Sequence, residues 1–414
     1  MLENVPRFDM KKPVMRMHLR PLMWLLVQPS LLIHRNKLTK VNMEGVKPPY
    51  LLLCNHNAFM DMPVAIKATF PHRVNFVVAI DGFIGREWLL RLIGCICKRK
   101  FTKDTQLIRQ LRTVVKNGDI IGMYTEARYS LCGTTAVLPA SIGKLAKLLK
   151  VPVVMLLCHG HHINTPFWNL HDRKVRTEAT MTRLLTAEEV KELSSEEIFD
   201  RIKEAYQYDD FAWQKENNIR VKYKGRAEGL HKVLYQCPHC QREYRMASQG
   251  TKLFCKACGK VWEMTELGEL TATEGETEFS HIPDWYEWER GNVRQEVEKG
   301  TYCFTGPCHV DALPNAKKFI HLGSGTLTHD MNGFRVTGNY QGEDYDLSLA
   351  AKSHYSVHIE YEYLGKFGDC VDLNTLEDTL YVYPEKSADG ESDFSVTKMA
   401  LATEELYSFY HKEG

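Results

Sequence analysis

Short apolar segments alternate with amphipathic ones between residues 50 and 158, and this alternation limits the possible folds more than any other feature of the sequence. The apolar segments are too short for typical helices and are bounded by Pro, Gly and Asp, which predicts strands at residues 50–54, 75–80, 120–124 and 151–158. A further strand is predicted at residues 175–185. Asp104 is placed to cap a helix whose apolar residues, from Leu107 to Val115, recur at helical spacing. Strands that alternate with helices predict an α/β sheet with helices on both faces.

His56 and Asp61 lie in the polar segment that follows the first predicted strand. A helix is predicted to begin at Asp61, because Asp is a favoured N-cap and Pro63 is tolerated in a first turn. Residues five apart on a straight helix point about 140° away from each other, so only a turn brings these two side chains together. A carboxylate that accepts a hydrogen bond from the N–H of one imidazole nitrogen leaves the other nitrogen unprotonated, so that it can act as a general base. The alternative is that Asp61 only caps the helix and His56 is an ordinary turn residue.

Four sequence blocks follow one another in this part of the chain, at residues 55–61, 82–86 with 93–100, 124–130 and 151–153. Over about residues 20–220 they resemble the blocks of the glycerolipid acyltransferases, the family of 1-acylglycerol-3-phosphate acyltransferases. The third block reads Thr125-Glu126-Ala127 where that family usually has Pro-Glu-Gly. The close turn that glycine permits is therefore not expected at Ala127. The arginine of the second block falls among Lys98, Arg99 and Lys100.

This resemblance implies an enzyme that transfers a fatty acyl group from a thioester donor, either acyl-CoA or acyl carrier protein, to the free hydroxyl of a lysophospholipid. The foremost acceptor is 1-acylglycerol-3-phosphate, and the alternative acceptors are glycerol-3-phosphate or another lysolipid. The alternative function is that of an inactive adaptor that binds lipid or protein. His56 and Asp61 would be catalytic, and Arg99, Lys100, Glu126 and Arg128 would bind substrate. For Glu126, contact with a substrate hydroxyl and an ion pair with Arg128 both remain open.

Charge is distributed unevenly along the chain. Residues 1–150 contain 24 Lys and Arg against 9 Asp and Glu, although the net charge of all 414 residues is only +1. A basic surface suits nucleic acid, an anionic membrane or a phosphorylated substrate. The basic half has no recognised nucleic-acid motif, so no nucleic acid partner is expected.

The longest apolar segment, residues 21–33, is too short to span a bilayer as a helix, and basic residues flank it. It suits either a helix that lies at a lipid surface or two short core helices split at Pro29. Because the family acts on lipid, the resemblance favours peripheral contact with a membrane. No secretory signal is evident, and the predicted location is the cytoplasm, at the inner face of the membrane.

Two Cys-x-x-Cys pairs, Cys237 with Cys240 and Cys255 with Cys258, are separated by fourteen residues. Four thiolates at this spacing predict a zinc ribbon with a structural zinc ion, rather than a disulfide or a redox pair. The other eight cysteines show no pairing pattern, which fits a reducing compartment. The histidine-rich loop at residues 159–162 has no further ligand at an obvious spacing, so a turn that lines the crevice is favoured over a metal site.

Four regions are predicted along the chain: an interfacial helical segment at 1–40, an acyltransferase domain at 41–220, a zinc ribbon at 233–265 and a β-rich domain at 280–414. The last region contains about seven predicted strands, of which the first two are 316–322 and 325–328, followed by a helix at 396–412. This arrangement resembles the pleckstrin-homology-like architecture. Its role would be membrane or partner contact, or only stabilisation of the enzyme.

Overall fold

A computed structural model describes residues 5–9 and 18–412 of the chain. It divides into two compact units. The first unit contains Asp9–Lys98 and Lys103–Val221, and the second contains Arg99–Thr102 and Lys222–Gly414, together with the short segment before Asp9. The first unit ends at Val221, next to the end predicted for the acyltransferase domain at residue 220. The other domain boundaries stay predictions.

The first unit is built on a sheet of seven strands in the order β1-β7-β6-β2-β5-β3-β4. All neighbouring strands are parallel except the antiparallel pair β6 and β7. The strands are β1 Lys37–Val41, β2 Leu51–Cys54, β3 Val74–Ala79, β4 Ile96–Lys98, β5 Ile120–Tyr124, β6 Val153–His159 and β7 Glu178–Leu185. The helices are α1 Leu19–Ile33, α2 Asp61–Thr69, α3 Glu87–Leu92, α4 Thr105–Lys116, α5 Ser141–Leu149, α6 His161–Asn164, α7 Ala187–Glu192, α8 Ser195–Ala205 and α9 Asp210–Glu216.

Strand β2 is central in this sheet, and each of its four side chains is buried. Leu51 and Leu53 pack on one face into a cluster with apolar residues of α4, α5 and α8. The alternate residues Leu52 and Cys54 point to the opposite face and are equally buried, so both faces of the sheet are covered here. The predicted α/β class is confirmed.

Several local predictions differ from the structure. Strands β1 and β4 were not predicted, since the first is a largely exposed segment with three polar residues among five and the second has only three residues. Helix α1 continues through Pro29, so the predicted alternative of two helices split at this proline is wrong. Asp104 caps α4 as predicted, because its carboxylate accepts from the amides of Gln106 and Leu107.

The second unit contains a four-stranded antiparallel sheet and a seven-stranded one. The smaller sheet has the order β11-β10-β9-β8 and comprises β8 Met246–Gln249, β9 Lys252–Cys255, β10 Val261–Met264 and β11 Leu270–Ala272. Helix α10, Ile282–Glu298, follows it. The larger sheet has the order β15-β14-β13-β12-β18-β17-β16 and comprises β12 Cys303–Ala312, β13 Ile320–Asp330, β14 Gly333–Tyr340, β15 Glu343–Ala350, β16 His358–Glu360, β17 Cys370–Asn374 and β18 Thr379–Pro384. Helix α11, Val396–Lys412, closes the chain.

A β-rich carboxyl-terminal region is confirmed, although its first strands were predicted wrongly. Residues 320–322 of the first predicted strand and all of the second, 325–328, belong to the single strand β13, whereas residues 316–319 precede it. Within β13, Gly323 has a φ of +97° opposite a register shift in β12. Strand β12 was missed because Gly306 and Pro307 resemble a turn. Pro307 is exposed and precedes the residues that pair with β18, so its missing amide hydrogen is tolerated. The likeness to pleckstrin-homology architecture stays a prediction.

Among the helices of the described residues, none combines the length and the apolar character that crossing a bilayer requires.

Candidate active site

The turn between β2 and α2 is held at both of its ends. The side-chain amide of Asn55 donates to the carbonyl oxygen of Cys158 and its oxygen accepts from the Cys158 amide, both at 2.8 Å. At the other end, Asp61 Oδ2 accepts from the amides of Asn57 at 2.7 Å and Ala58 at 3.0 Å. Asp61 therefore orders the turn that precedes its own helix.

This turn brings His56 and Asp61 together. His56 Nδ1 lies 2.9 Å from Asp61 Oδ2. The imidazole is 21% exposed, whereas the carboxylate is 1% exposed. The alternative in which Asp61 only caps the helix is wrong, because Asp61 is the first residue of α2 and bonds to the turn instead. The catalytic role of the pair stays a prediction.

A second imidazole, that of His161, also contacts Asp61. His161 Nδ1 lies 2.5 Å from Asp61 Oδ1, so each carboxylate oxygen has a histidine partner. Burial raises the pKa of Asp61, but the hydrogen bonds from His161 and His56 outweigh it and hold the pKa at about 2. The sequence placed His161 in a turn predicted to line the crevice but did not indicate its contact with Asp61. The parallel pairing of β6 with β2, which the sequence does not reveal, is the signal that would have indicated this contact.

Aromatic rings surround His56. The Tyr124 ring stacks on its imidazole and the Tyr129 ring contacts it at a tilt, each with a centroid separation of 4.2 Å. Tyr129 in turn contacts Phe167 at 5.5 Å and Phe59 at 5.9 Å. Phe59 is 72% exposed, so this side of the turn presents apolar surface to solvent. The imidazole is thereby fixed in orientation by its ring neighbours as well as by Asp61.

Glu126 is fully buried below the turn. Its Oε2 accepts from the His56 amide at 2.7 Å, and its Oε1 accepts from the Ala136 amide at 2.8 Å and the Tyr208 hydroxyl at 3.2 Å. Burial raises the pKa of Glu126 to about 7, against hydrogen bonds and the Arg128 charge that lower it. These contacts give Glu126 a positioning role for the loop of His56, which the sequence did not indicate. Its contact with a substrate hydroxyl stays a prediction.

The turn at Ala127 forms without a glycine. Ala127 has a φ of +55°, and its amide donates to the Tyr124 carbonyl oxygen at 3.1 Å. This left-handed conformation is the one that glycine adopts without steric cost. The chain therefore makes the close turn that was not expected here, with a residue that is strained in it.

Of the predicted substrate-binding cations, Arg128 lies nearest in sequence to Glu126, whose carboxylate bonds to the backbone of the active-site turn. It follows Glu126 by two residues and is 3% exposed, and its charge lowers the pKa of that carboxyl. The structure thus places Arg128 beside the residue that holds His56. Its predicted contact with a phosphate stays a prediction.

Arg99 and Lys100 have partners in the second unit. Arg99 is 8% exposed and Lys100 Nζ lies 3.6 Å from Asp372 Oδ2. Four acceptors lie 2.7–2.9 Å from the Arg99 guanidinium: the backbone oxygens of Leu313, Pro314 and Glu377 and the hydroxyl of Thr379. These contacts explain both residues structurally and give no support to the substrate-binding role predicted for them.

The four cysteines of the two Cys-x-x-Cys pairs meet in one cluster. All four Sγ atoms lie within 4.8 Å of one another. The Cys237–Cys258 and Cys240–Cys255 sulfur pairs are each 3.8 Å apart, much longer than a disulfide bond. A tetrahedron with zinc–sulfur bonds of about 2.3 Å has edges of about 3.8 Å. The residues present therefore fit a tetrahedral metal ion with four thiolate ligands.

A second group of potential ligands, His358, Glu360 and Asp372, lies on β16 and β17. His358 Nε2 is 2.9 Å from Glu360 Oε1, and Lys100 is the neighbour of Asp372. Because a lysine cation already stands against one carboxylate, these contacts describe a buried ion-pair cluster.

Comparisons with known proteins bear on the first unit. Residues 33–158 match the family model described as Acyltransferase. A search of solved structures finds similarity to the 1-acyl-sn-glycerophosphate (LPA) acyltransferase PlsC from Thermotoga maritima, with 15% identity and a TM-score of 0.37, over 46% of this chain and 77% of that one. A search of curated proteins gives no match. The family resemblance is confirmed where the model matches: residues 33–158 carry the sequence pattern of an acyltransferase domain.

Proposed function

We propose that this protein transfers a fatty acyl group from a thioester donor, acyl-CoA or acyl carrier protein, to the free hydroxyl of a lysophospholipid. The favoured acceptor is 1-acylglycerol-3-phosphate. One observation carries the proposal: a half-buried His56, oriented by the buried Asp61, lies inside the segment that matches the acyltransferase family.

His56 would act as the general base. Because Asp61 accepts a hydrogen bond from Nδ1–H, Nε2 carries no proton and can accept that of the substrate hydroxyl. The acceptor oxygen then attacks the thioester carbonyl; a carbon–oxygen bond forms, the carbon–sulfur bond breaks, and the leaving thiolate takes the proton from His56. Cys54 is a poor nucleophile, since burial and the nearby Asp61 charge raise its pKa, and no acyl-enzyme is required.

The aromatic surface beside His56 supports a lipid acceptor. Phe59 is 72% exposed and contacts Tyr129, whose ring centroid lies 4.2 Å from that of His56. An acyl chain that leaves the reacting hydroxyl would find apolar contacts there. Arg128 is the proposed partner of the acceptor phosphate, because a guanidinium can donate two parallel hydrogen bonds to it.

Helix α1 supports peripheral contact with a membrane. Five apolar side chains at helical spacing are at least half exposed: Leu22, Leu25, Leu26, Leu32 and Ile33. The exposed cations Arg35, Lys37 and Lys40 follow the helix, which suits an anionic lipid surface. The proposed location is the cytoplasm, at the inner face of the membrane.

The four clustered cysteines are proposed to hold a structural zinc ion. Four thiolate ligands fill a tetrahedral shell and leave no position for a substrate. The zinc would stabilise its fold and take no part in the transfer reaction.

The test of His56 is an acyl-transfer assay. Purified protein would be given a labelled acyl thioester and 1-acylglycerol-3-phosphate. His56→Ala and Asp61→Asn should each lower kcat by about 10²- to 10⁴-fold, because proton removal contributes about that much. Thermal unfolding would confirm that each variant folds, and undiminished transfer by His56→Ala would refute the assigned base.

The identity of the acceptor is tested at Arg128. If a phosphate is bound there, Arg128→Ala should raise KM for 1-acylglycerol-3-phosphate by at least about tenfold, while Arg128→Lys recovers part of the loss. The same variants assayed with an uncharged monoacylglycerol should show no such change. An equal KM effect on both acceptors would exclude phosphate contact.

A further inference from the structure

The Asp61 carboxylate contacts two imidazoles, those of His56 and His161, which lie far apart in the sequence. Its Oδ2 accepts from His56 and from two turn amides, whereas its Oδ1 faces the His161 ring. His161 is the first residue of α6 and is fully buried. A substitution of His161 therefore changes the surroundings of Asp61 Oδ1, the carboxylate oxygen that does not contact His56.

The surroundings of His161 indicate its charge. Its Nε2 is buried and has no hydrogen-bond partner within the described residues. An imidazolium would place an unpaired, charged N–H there, which costs more than a bare acceptor nitrogen. A ring with its N–H on Nδ1 would direct that hydrogen at Asp61 Oδ1 and leave the buried Nε2 as a bare acceptor.

We propose that His161 is a positioning residue of the active site: as a neutral Nδ1–H donor it fixes the Asp61 carboxylate and moderates the basicity of His56. This inference rests on the proposed role of His56. A donor on Oδ1 spreads the negative charge of Asp61 and so reduces the stabilisation that Asp61 gives to a protonated His56. Removal of the donor should make His56 more basic and leave the carboxylate less firmly oriented.

Other titratable and charged groups face this network. The rings of Tyr124 and Tyr129 contact that of His56, and Glu126 bonds to the His56 backbone amide. On the opposite side, Asp210 Oδ2 accepts from the amides of Gly160 and His162 at 3.1 and 3.0 Å, and its other oxygen lies 3.5 Å from His159 Nδ1. These groups are unchanged in the variants below, so a shift in His56 reports on His161.

The test is a histidine NMR titration, which needs no substrate. With ¹³Cε1-labelled histidine and His56→Ala for assignment, the pKa of His56 would be measured in wild-type protein, His161→Phe and His161→Asn. His161→Phe should raise it by about one unit, because the donor is lost. In His161→Asn, the amide N–H replaces Nδ1–H, and the pKa should stay within about half a unit of wild type.

His162 supplies the matched control. It is the next residue, is equally buried and contacts Phe211 with a ring centroid separation of 5.7 Å. His162→Phe should leave the pKa of His56 unchanged. The proposal is overturned if His161→Phe does not move that pKa, or if His162→Phe moves it equally.

Activity gives a second readout. In the transfer assay, His161→Phe should lower kcat by at least about tenfold and shift the acidic limb of the kcat/KM profile to higher pH, with His161→Asn close to wild type. If wild-type protein transfers no acyl group, the proposed function fails, and the NMR titration still decides the role of His161. An unshifted limb in an active His161→Phe enzyme would count against the proposal.

Discussion

Glu126 shows how one buried side chain can hold two loops and carry an energetic cost. Its carboxylate joins the turn of His56 to the backbone at Ala136, and it has no access to water. Burial therefore raises its pKa to about 7, although each hydrogen bond favours the ionised form. The site gains a fixed backbone at His56 and becomes sensitive to pH near neutrality.

This sensitivity predicts a pH dependence of stability. A carboxyl whose pKa is about 4.5 when unfolded and about 7 when folded favours folding fully below pH 4.5, and this contribution is lost as pH rises to 7. The loss amounts to about 3 kcal/mol. Urea unfolding between pH 5 and 8 should show a free energy of unfolding that falls more steeply in wild type than in Glu126→Gln. Parallel slopes in the two proteins would contradict the raised pKa.

Ala127 gives a prediction of the opposite kind, a stabilising substitution. Since its φ is +55°, Ala127→Gly should remove the strain of a left-handed alanine and raise the free energy of unfolding by about 0.5–1 kcal/mol. The matched control is Ala146→Gly within α5, which should destabilise by at least a similar amount because glycine weakens the middle of a regular helix. A loss of stability in Ala127→Gly would show that the turn does not need glycine's freedom.

The elements that were predicted correctly are those that local sequence determines. Strand β2, its turn and helix α2 lie within twenty residues, and the cap of α4 involves only Asp104 and the amides two and three residues after it. The strands β1, β4 and β12 were missed because neighbours distant in sequence determine them. The contact of His161 with Asp61 was missed for the same reason: it joins residues 100 apart in the sequence, and only the sheet order brings them together.

Helix α1 carries the prediction about membranes. Leu25 and Leu26 are 61% and 69% exposed, and burying each in lipid should contribute about 1.5–3 kcal/mol. The double substitution Leu25→Ser and Leu26→Ser should therefore weaken binding to vesicles of phosphatidylcholine and phosphatidylglycerol by at least about tenfold. Vesicle co-sedimentation measures this effect.

The control for this experiment is Leu376→Ser, which replaces a leucine that is 64% exposed in the second unit. It should bind vesicles as the wild type does. Equal binding by the α1 double variant and wild type would exclude α1 as the lipid contact, and loss in both variants would indicate a non-specific effect of exposed leucines.

The first unit is built on a sheet of seven strands, whereas the cysteine cluster of the second unit lies beside a sheet of only four short strands. The four strands β8–β11 have three or four residues each, so the sheet beside the cysteine cluster is small. Its main aromatic contact is Trp262, which is fully buried and packs edge-to-face on Trp285 with ring centroids 5.0 Å apart. A metal ion that joins four thiolates would supply the stability that such a core lacks.

We therefore expect about one zinc ion per chain by elemental analysis. Cys258→Ser should abolish this zinc, lower the melting temperature and shift tryptophan emission to longer wavelength as Trp262 becomes hydrated. Cys303 is the matched control, because it is also exposed and belongs to the same unit but lies outside the cluster. Cys303→Ser should keep both zinc and melting temperature. Zinc retained by Cys258→Ser, or absent from wild type purified without chelators, would show that the sulfur tetrahedron is not a zinc site.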